Sequence, residues 1–333
     1  MATLLEKVRS YSENHTLIEP GSKILVGLSG GADSVALLYL LNALAPGYNL
    51  SLVAAHFDHQ WRENSAADKE FCHALARQLN IEFVAQTASV YLSEKKQSHS
   101  PNGSQEELGR TLRRAFFEEY AHFYGAHAIA LGHHEDDQQE TFFLRLIRGA
   151  SIAGLAAMKP KNGRYIRPLL SCTKAELIEY LKQQGLTHRE DPTNNDTKYL
   201  RNAIRHIVIP AFQQSDPRFT TTFRNTLHSV QETDRYLAKV VDELFTKIAS
   251  TSENTILLHH EEFLKVDEFL HPRILVAWLS QAKVPYTPST AFFDELTRFI
   301  KNSGKKHQLH PSWSLVKKGP YLAIENQTTQ IKE

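Results

Sequence analysis

The sequence predicts a doubly wound α/β domain built on a parallel sheet, followed by a second, smaller and mostly helical domain. Three observations carry this. Strand-like apolar runs recur at residues 24–28, 50–56, 81–85 and 127–132, each followed by a helix-periodic segment, and such βα alternation builds a parallel sheet covered on both faces. Between the first run and its helix stands a glycine turn, Ser29-Gly30-Gly31-Ala32-Asp33-Ser34. After Pro210 the pattern changes to helical runs at 223–249, 269–282 and 292–301, then a strand pair at 314–317 and 321–325 around Gly319-Pro320. A length of 333 residues suits two domains, expected at 1–212 and 213–333.

Ile24, Leu25, Val26 and Leu28 have the make-up of a strand buried on both faces, and Val35, Leu37, Leu38, Leu41 and Leu44 return at helical spacing. The glycine loop therefore opens a helix. Amides at a helix start and the positive end of the macrodipole hold an anion, while Gly30 and Gly31 let the backbone come close without a Cβ. Ser29 and Ser34 add hydroxyl donors. The loop lacks the lysine followed by Ser or Thr of the usual phosphate loop and carries Asp33 instead. A carboxylate beside phosphates calls for a bridging divalent cation, so Mg²⁺ is expected at Asp33. The alternative is a plain strand-to-helix turn capped by Ser or Asp.

His56-Phe57-Asp58-His59 and Gly132-His133-His134 fall at the carboxyl ends of two further strands, where an open parallel sheet places its chemistry. A helix starting after His134 would line Asp137, Glu140 and Thr141 along one face. Taken alone, that cluster is a site for a metal or an ammonium, or an acidic first turn that complements the helix dipole. Glu190-Asp191-Pro192-Thr193-Asn194 precedes a basic stretch in which Arg201 and Arg205 lie one helical turn apart. Two guanidiniums on one face suit a phosphate, or form an ordinary basic surface.

An apolar share of 41% is ordinary for a soluble globular protein. No apolar stretch reaches the roughly 18 residues of a membrane span, and the first residues lack the basic region and long apolar core of a signal peptide. A cytoplasmic protein without membrane contact is expected. Cys72 and Cys172 form no Cys-x-x-Cys pair and read as buried small hydrophobes. The net charge of +1 excludes a global polyanion signal, which leaves local clusters: Arg110, Arg113 and Arg114; Arg145 and Arg148; Lys198, Arg201, Arg205 and His206; Lys301, Lys305, Lys306, Lys317 and Lys318. Residues 93–104, rich in Ser, Lys, Gln, Pro and Gly, read as an exposed loop.

These motifs, in this order, resemble the PP-loop (N-type ATP pyrophosphatase) superfamily and, within it, the bacterial tRNA(Ile)-lysidine synthetases. The resemblance spans about residues 20–212 and rests on Ser29 to Ser34, His56 to Arg62, Arg110-Thr111-Leu112-Arg113, Gly132 to Thr141, Leu146 to Leu155, Ile166 to Leu170 and Glu190 to Pro210. Gln60 stands where that family leads one to expect a glycine, and Thr193 where it leads one to expect a serine. The resemblance implies a Rossmann-like ATPase domain and an ATP-dependent ligase acting on the wobble cytidine of the isoleucine tRNA with a CAU anticodon. The cytidine carbon-2 oxygen is adenylated with release of pyrophosphate, and an amine of free L-lysine then displaces AMP to give lysidine.

Carried onto this sequence, the resemblance gives Ser29, Gly30, Gly31 and Ser34 to pyrophosphate, His56 and Gly132 to the nucleotide site, and Asp33 to the metal. Asp137 and Glu140 become the groups that position and deprotonate the amine. Arg113, Arg201 and Arg205 neutralise charge on phosphate. His133 or His134 hydrogen-bonds the base or nucleotide, or serves as a core histidine. ATP and Mg²⁺ are the expected cofactors, the basic tail is expected to contact tRNA, and a homodimer is compatible with the resemblance. Longer members of that family continue into a further carboxyl-terminal domain, which this sequence is expected to lack. Competing readings are a PP-loop tRNA thiolase, a glutamine-dependent amide ligase and a non-catalytic ATP sensor.

Overall fold

The computed structural model describes residues 3–60, 65–95, 105–189, 198–252, 255–287 and 289–326. Trp61 and Arg62, residues 96–104 of the expected loop, and Glu190 to Asn194 lie outside the described residues. The chain forms two compact units, Met1–His228 and Ser229–Glu333.

In the first unit the elements run α1 (Leu4–Asn14), β1 (Lys23–Gly27), α2 (Ala32–Tyr48), β2 (Ser51–Asp58), α3 (Ser65–Gln78), β3 (Glu82–Thr87), α4 (Ala88–Lys95), α5 (Gln105–Phe123) and β4 (Ala128–Ala130). They continue through α6 (Glu135–Ile147), α7 (Ile152–Leu155), β5 (Lys161–Asn162), β6 (Tyr165–Ile166), α8 (Lys174–Gln183), α9 (Leu200–Ala203), a π-helical turn (Ile204–Val208), α10 (Ile209–Ser215) and the start of α11 (Phe219–Ile248). Ser93, expected in a loop, belongs to α4. The sheet order is β3-β2-β1-β4-β6-β5, parallel throughout except for the β5–β6 pair.

Alternation along the central strands separates two apolar layers. Ile24 and Val26, with Ala54, Ala128 and Ala130, join a cluster with Val35 to Leu44 of α2 and Leu177 and Leu181 of α8. Leu25, Ala55 and Ile129, the residues in between, join Phe116, Phe117 and Ala121 of α5 on the opposite face. Helices thus cover both faces, which is the expected doubly wound arrangement. β1 pairs with β2 on one side and β4 on the other, so the order reverses at β1 and opens a crevice at the carboxyl ends of β1 and β4.

The break between the units falls inside α11, beyond the change of pattern seen at Pro210. Its physical reason is an aromatic cluster: Phe223 and Leu227 of α11 pack with Phe143, Ala157, Ile204 and Ile209, and Phe142 meets Phe223 edge-on at 5.1 Å. The first turns of α11 therefore belong to the first unit.

In the second unit, β7 (Ala249–Ser252), β8 (Thr255–His259), α12 (His260–Lys265), α13 (His271–Gln281), α14 (Thr290–Lys301), β9 (Lys306–His310), β10 (Trp313–Lys318) and β11 (Tyr321–Asn326) enclose a core of Trp278, Phe263, Ile274, Leu275, Leu296 and Leu315. The expected helices and strand pair are present, and the pair forms part of a five-stranded antiparallel sheet, β7-β8-β11-β10-β9. The edge strands carry no apolar run: β7 reads Ala-Ser-Thr-Ser and β9 Lys-His-Gln-Leu-His, as edges that discourage further pairing do. Among the described residues no helix is long and apolar enough to cross a membrane.

Candidate functional site

Gly30 adopts φ +90°, a conformation that glycine takes without strain, and its carbonyl accepts from Arg189 N–H at 2.9 Å. Gly31 caps α2. Ser34 is buried; its hydroxyl accepts from Ser29 N–H at 3.1 Å and donates to Gly31 O at 3.0 Å, so this side chain shapes the loop from within. Ser29, exposed, has its hydroxyl 3.1 Å from that of Ser34. Gly132 sits behind the loop: a Cβ there would come within 3.1 Å of Asp33 C and O and 3.2 Å of Ser34 N. Its lack of a side chain lets the end of β4 close on the start of α2.

Asp33, in the first turn of α2, meets two cations. Lys174 Nζ donates to its Oδ1 at 2.6 Å, and His134 Nε2 lies 3.6 Å from the same atom. Burial alone would raise the carboxyl pKa, but His134 and Lys174 outweigh it and hold Asp33 down to about 2. Burial would likewise strip His134 of its proton, yet Asp136 at 3.3 Å, Asp33, and Asp137 at 3.5 Å reverse this and push the imidazole up to about 10. Sequence reasoning missed Lys174. The lysine absent from the glycine loop arrives from the start of α8, where Thr173 and Glu176 form a capping box: Thr173 Oγ1 accepts from Glu176 N–H at 3.2 Å and Glu176 Oε2 from Thr173 N–H at 2.7 Å. That Thr-x-x-Glu pattern was the available signal. Asp136 Oδ2 accepts from Lys174 N–H at 2.9 Å and so ties the starts of α6 and α8 together.

The acids of α6 are paired. Arg201 donates through Nε to Glu140 Oε2 at 2.7 Å and through Nη2 to Asp137 Oδ1 at 2.9 Å. Arg205 Nε donates to Glu140 Oε1 at 2.5 Å, and its Nη2 is 4.0 Å from Asp137 Oδ1. Asp137 Oδ2 accepts from His134 N–H at 3.0 Å. Both arginines reach one carboxylate through an irregular helix. Ile209 N–H bonds to Ile204 O, a π-type spacing, and Pro210, which has no N–H to continue an α-helical ladder, follows directly.

His56 stands near the end of β2, against the residue that precedes the glycine loop. It is buried in β2 with Nδ1 2.9 Å from Leu28 O, and burial lowers its pKa. His133 is half-buried with a partnerless Nδ1; burial, with Arg167, Arg201 and Arg113 nearby, outweighs Asp137 and lowers it to about 4. His59 is lowered to about 4 by burial and by Arg113. Arg113 is thus linked to the site through these histidines; among the described residues it and Arg110 form no ion pair. Gln60, which stands where a glycine was expected, has φ +58°. Its N–H donates to Asp58 Oδ1 at 2.7 Å and its Oε1 accepts from Ser89 N–H at 2.9 Å, bonds that hold a strained turn. Cys72 and Cys172 are buried as expected, and burial pushes their thiols up to about 12 and about 11. In the basic tail Lys301 pairs with Glu268, Lys318 with Glu325, and Lys317 bonds Ile300 O and Asn302 O.

The structure therefore joins Asp33, His134, Asp137, Glu140, Arg201 and Arg205, with Lys174, into one polar chain beside the glycine loop. A phosphate cradle at the switch point of a parallel sheet, with an acid in the first turn of its helix, defines a nucleotide-binding α/β domain. The family model described as the PP-loop domain matches residues 3–212. Curated relatives named tRNA(Ile)-lysidine synthase include one from Bacillus cereus, 34% identical over 310 residues covering 90% of this chain and 64% of that one. Another, from Bacteroides thetaiotaomicron, is 31% identical over 322 residues, covering 96% of this chain and 71% of that one. Hence the chain belongs to the PP-loop domain family and, within it, to the tRNA(Ile)-lysidine synthase family. It spans 64% of the length of the Bacillus cereus relative. In fold it also resembles the U34-tRNA thiolase NcsA from Methanococcus maripaludis, with a TM-score of 0.57 at 17% identity over 68% of this chain and 78% of that one.

Proposed function

We propose that the chain is an ATP-dependent ligase that adenylates the wobble cytidine of a CAU-anticodon isoleucine tRNA and joins free lysine to it. The observation that carries this is the adjacency of a phosphate cradle and a pair of buried carboxylates, Asp137 and Glu140, bridged by His134 and Arg201. In the first step the carbon-2 oxygen of cytidine attacks the α-phosphorus and pyrophosphate leaves, received by the amides of the glycine loop with Ser29 and by Arg205. In the second, the lysine amine attacks carbon 2, the bond from carbon 2 to oxygen breaks, and AMP departs. The amine must shed a proton, and Asp137 and Glu140 are the acceptors within the site. Arg113 and Arg110, without acid partners among the described residues, supply the charge to meet RNA phosphate.

Mg²⁺ fits as an ion shared with substrate. Among the described residues no group of three His, Cys, Asp or Glu is arranged to hold a metal alone, but Mg²⁺ usually takes one or two carboxylates plus substrate phosphates. Asp33 is that carboxylate, and the ion would offset charge on the departing pyrophosphate. The first unit carries the chemistry, and the second adds RNA contacts through Lys305 and Lys306. Every group of the constellation comes from one chain, so the reading holds for a monomer or a homodimer, in the cytoplasm where these substrates meet. Sulfur delivery to the same activated base would need reactive thiolates, and both thiols of this chain are buried and held protonated.

Incubation with ATP, Mg²⁺, lysine and the CAU-anticodon tRNA tests the reading. AMP and pyrophosphate should appear together only when both tRNA and lysine are present. ADP with orthophosphate, or pyrophosphate without tRNA, would refute it.

A further inference from the structure

The two carboxylates assigned to the amine lie beneath the two guanidiniums assigned to phosphate. The Glu140 side chain is 1% exposed and that of Asp137 11%, whereas those of Arg201 and Arg205 are 38% and 35% exposed. Each carboxylate oxygen already has a donor: Glu140 Oε1 from Arg205, Glu140 Oε2 and Asp137 Oδ1 from Arg201, and Asp137 Oδ2 from the His134 N–H. A ligand that enters here meets the guanidiniums first. A phosphate is drawn to them, while an ammonium faces two like charges, and each carboxylate oxygen behind them already accepts a hydrogen bond from a cation or an amide.

We propose that Arg201 and Arg205 make lysine binding conditional on a phosphate ligand. Asp137 and Glu140 against Arg201 and Arg205, and Asp33 and Asp136 against His134 and Lys174, sum to zero charge. An anion seated on the exposed edges of Arg201 and Arg205 competes for their donors, loosens their hold on Asp137 and Glu140, and leaves the locus net negative. The amine then meets carboxylates with less competition for their oxygens, in an attractive field. By linkage the effect is reciprocal: bound lysine tightens the phosphate ligand by the same factor. The inference rests on the assignment of Asp137 and Glu140 to the amine and adds an order of events, anion first and lysine second.

Calorimetric titration of lysine into the full chain tests it in three states: protein alone, protein with Mg²⁺ and the α,β-methylene analogue of ATP, and protein with Mg²⁺ and inorganic pyrophosphate. Lysine affinity should rise at least tenfold, about 1.4 kcal/mol, in both the second and the third state. Equal affinity in all three overturns the proposal and leaves the amine assignment standing. A rise with the ATP analogue but not with pyrophosphate also overturns it, since the coupling would then run through the nucleoside. No lysine binding in any state removes the amine assignment and the inference together. Arg205→Gln should shrink the coupling, and Arg205→Lys should restore part of it. The wild-type comparison stands even if Arg205→Gln fails to fold, because it needs no variant.

Discussion

Gly132 offers a sharp test of how the phosphate cradle is built. Replacing it with Ala adds one methyl group, whose carbon would lie 3.1 Å from Asp33 C and O and 3.2 Å from Ser34 N. All three neighbours are backbone atoms of the first turn of α2, so no side chain can swing aside. That turn must retreat by a few tenths of an ångström, and overpacking of this kind costs about 1–3 kcal/mol. For a unit the size of residues 1–228, a loss of about 2 kcal/mol lowers Tm by roughly 4–8 °C. The displaced turn holds Asp33 and the amides proposed to receive phosphate, so affinity for ATP should fall as well. Gly47→Ala is the control: Gly47 lies within α2, and a Cβ there has nothing within 4 Å. That change should be neutral or stabilise by up to about 1 kcal/mol. Calorimetric melting and titration with ATP measure both effects. If Gly132→Ala melts within about 1 °C of the parent and binds ATP unchanged, the close approach of β4 to α2 is not what the glycine is for.

Other outcomes follow from the same geometry. Asp33→Ala should abolish adenylation while Tm falls by less than about 2 °C, because Lys174 is 37% exposed and can turn to water and His134 keeps Asp136 and Asp137; a large fall in Tm would contradict this. Arg224→Met should cost about 2–4 kcal/mol, since it strands the buried carboxylate of Glu135, which accepts from Arg224 at 2.8–3.0 Å; with Glu135→Gln in the same chain, much of the loss should return in urea melts. His59 and His133 are held at about 4, below the ordinary 6.5, so the unfolded chain binds more protons than the folded one between those values. Their contribution is complete above about pH 6.5 and disappears as pH falls through about 4, a loss of up to a few kcal/mol, and a urea midpoint that stays flat from pH 6.5 to 4 would refute it. Lys305→Glu with Lys306→Glu should weaken tRNA binding and make its logarithmic salt dependence shallower by about 2; unchanged slopes would remove the tail from the RNA surface.

Much of the fold was legible because it is written in local periodicity. Residues 24–28 and 35–44 declare a buried strand and helix from their own apolar spacing, and the glycine loop marks the turn between them. The edge strands β7 and β9 were not legible, since a strand half-open to water carries no apolar run. Within the site, residue types could be read and pairings could not. Lys174 reaches Asp33 across 141 residues, and Arg201 reaches Glu140 across 61. No spacing rule covers such distances. The same holds for Gly132, which packs against the backbone of Asp33, and for His56, whose Nδ1 lies against Leu28 O. Gln60, which stands where the family leads one to expect a glycine, occupies a backbone position with positive φ.

Pairing alters what each residue can do. Read singly, Arg201 and Arg205 are free cations for phosphate, and Asp137 and Glu140 are free bases for an amine. Joined as they are, neither set is free, and each ligand must compete with a side chain for its partner. A ligase that activates a base before an amine attacks gains from that arrangement. An ammonium held beside ATP from the start would be protonated, unreactive and able to draw the phosphates out of line. Under the proposed order, carboxylates released only as phosphate charge arrives would keep the amine away until there is something for it to attack, and would leave a proton acceptor beside it at that moment. The buried position of the acids and the exposed position of the guanidiniums are what the proposed direction of entry rests on, set where α6 meets the irregular turn between α9 and α10.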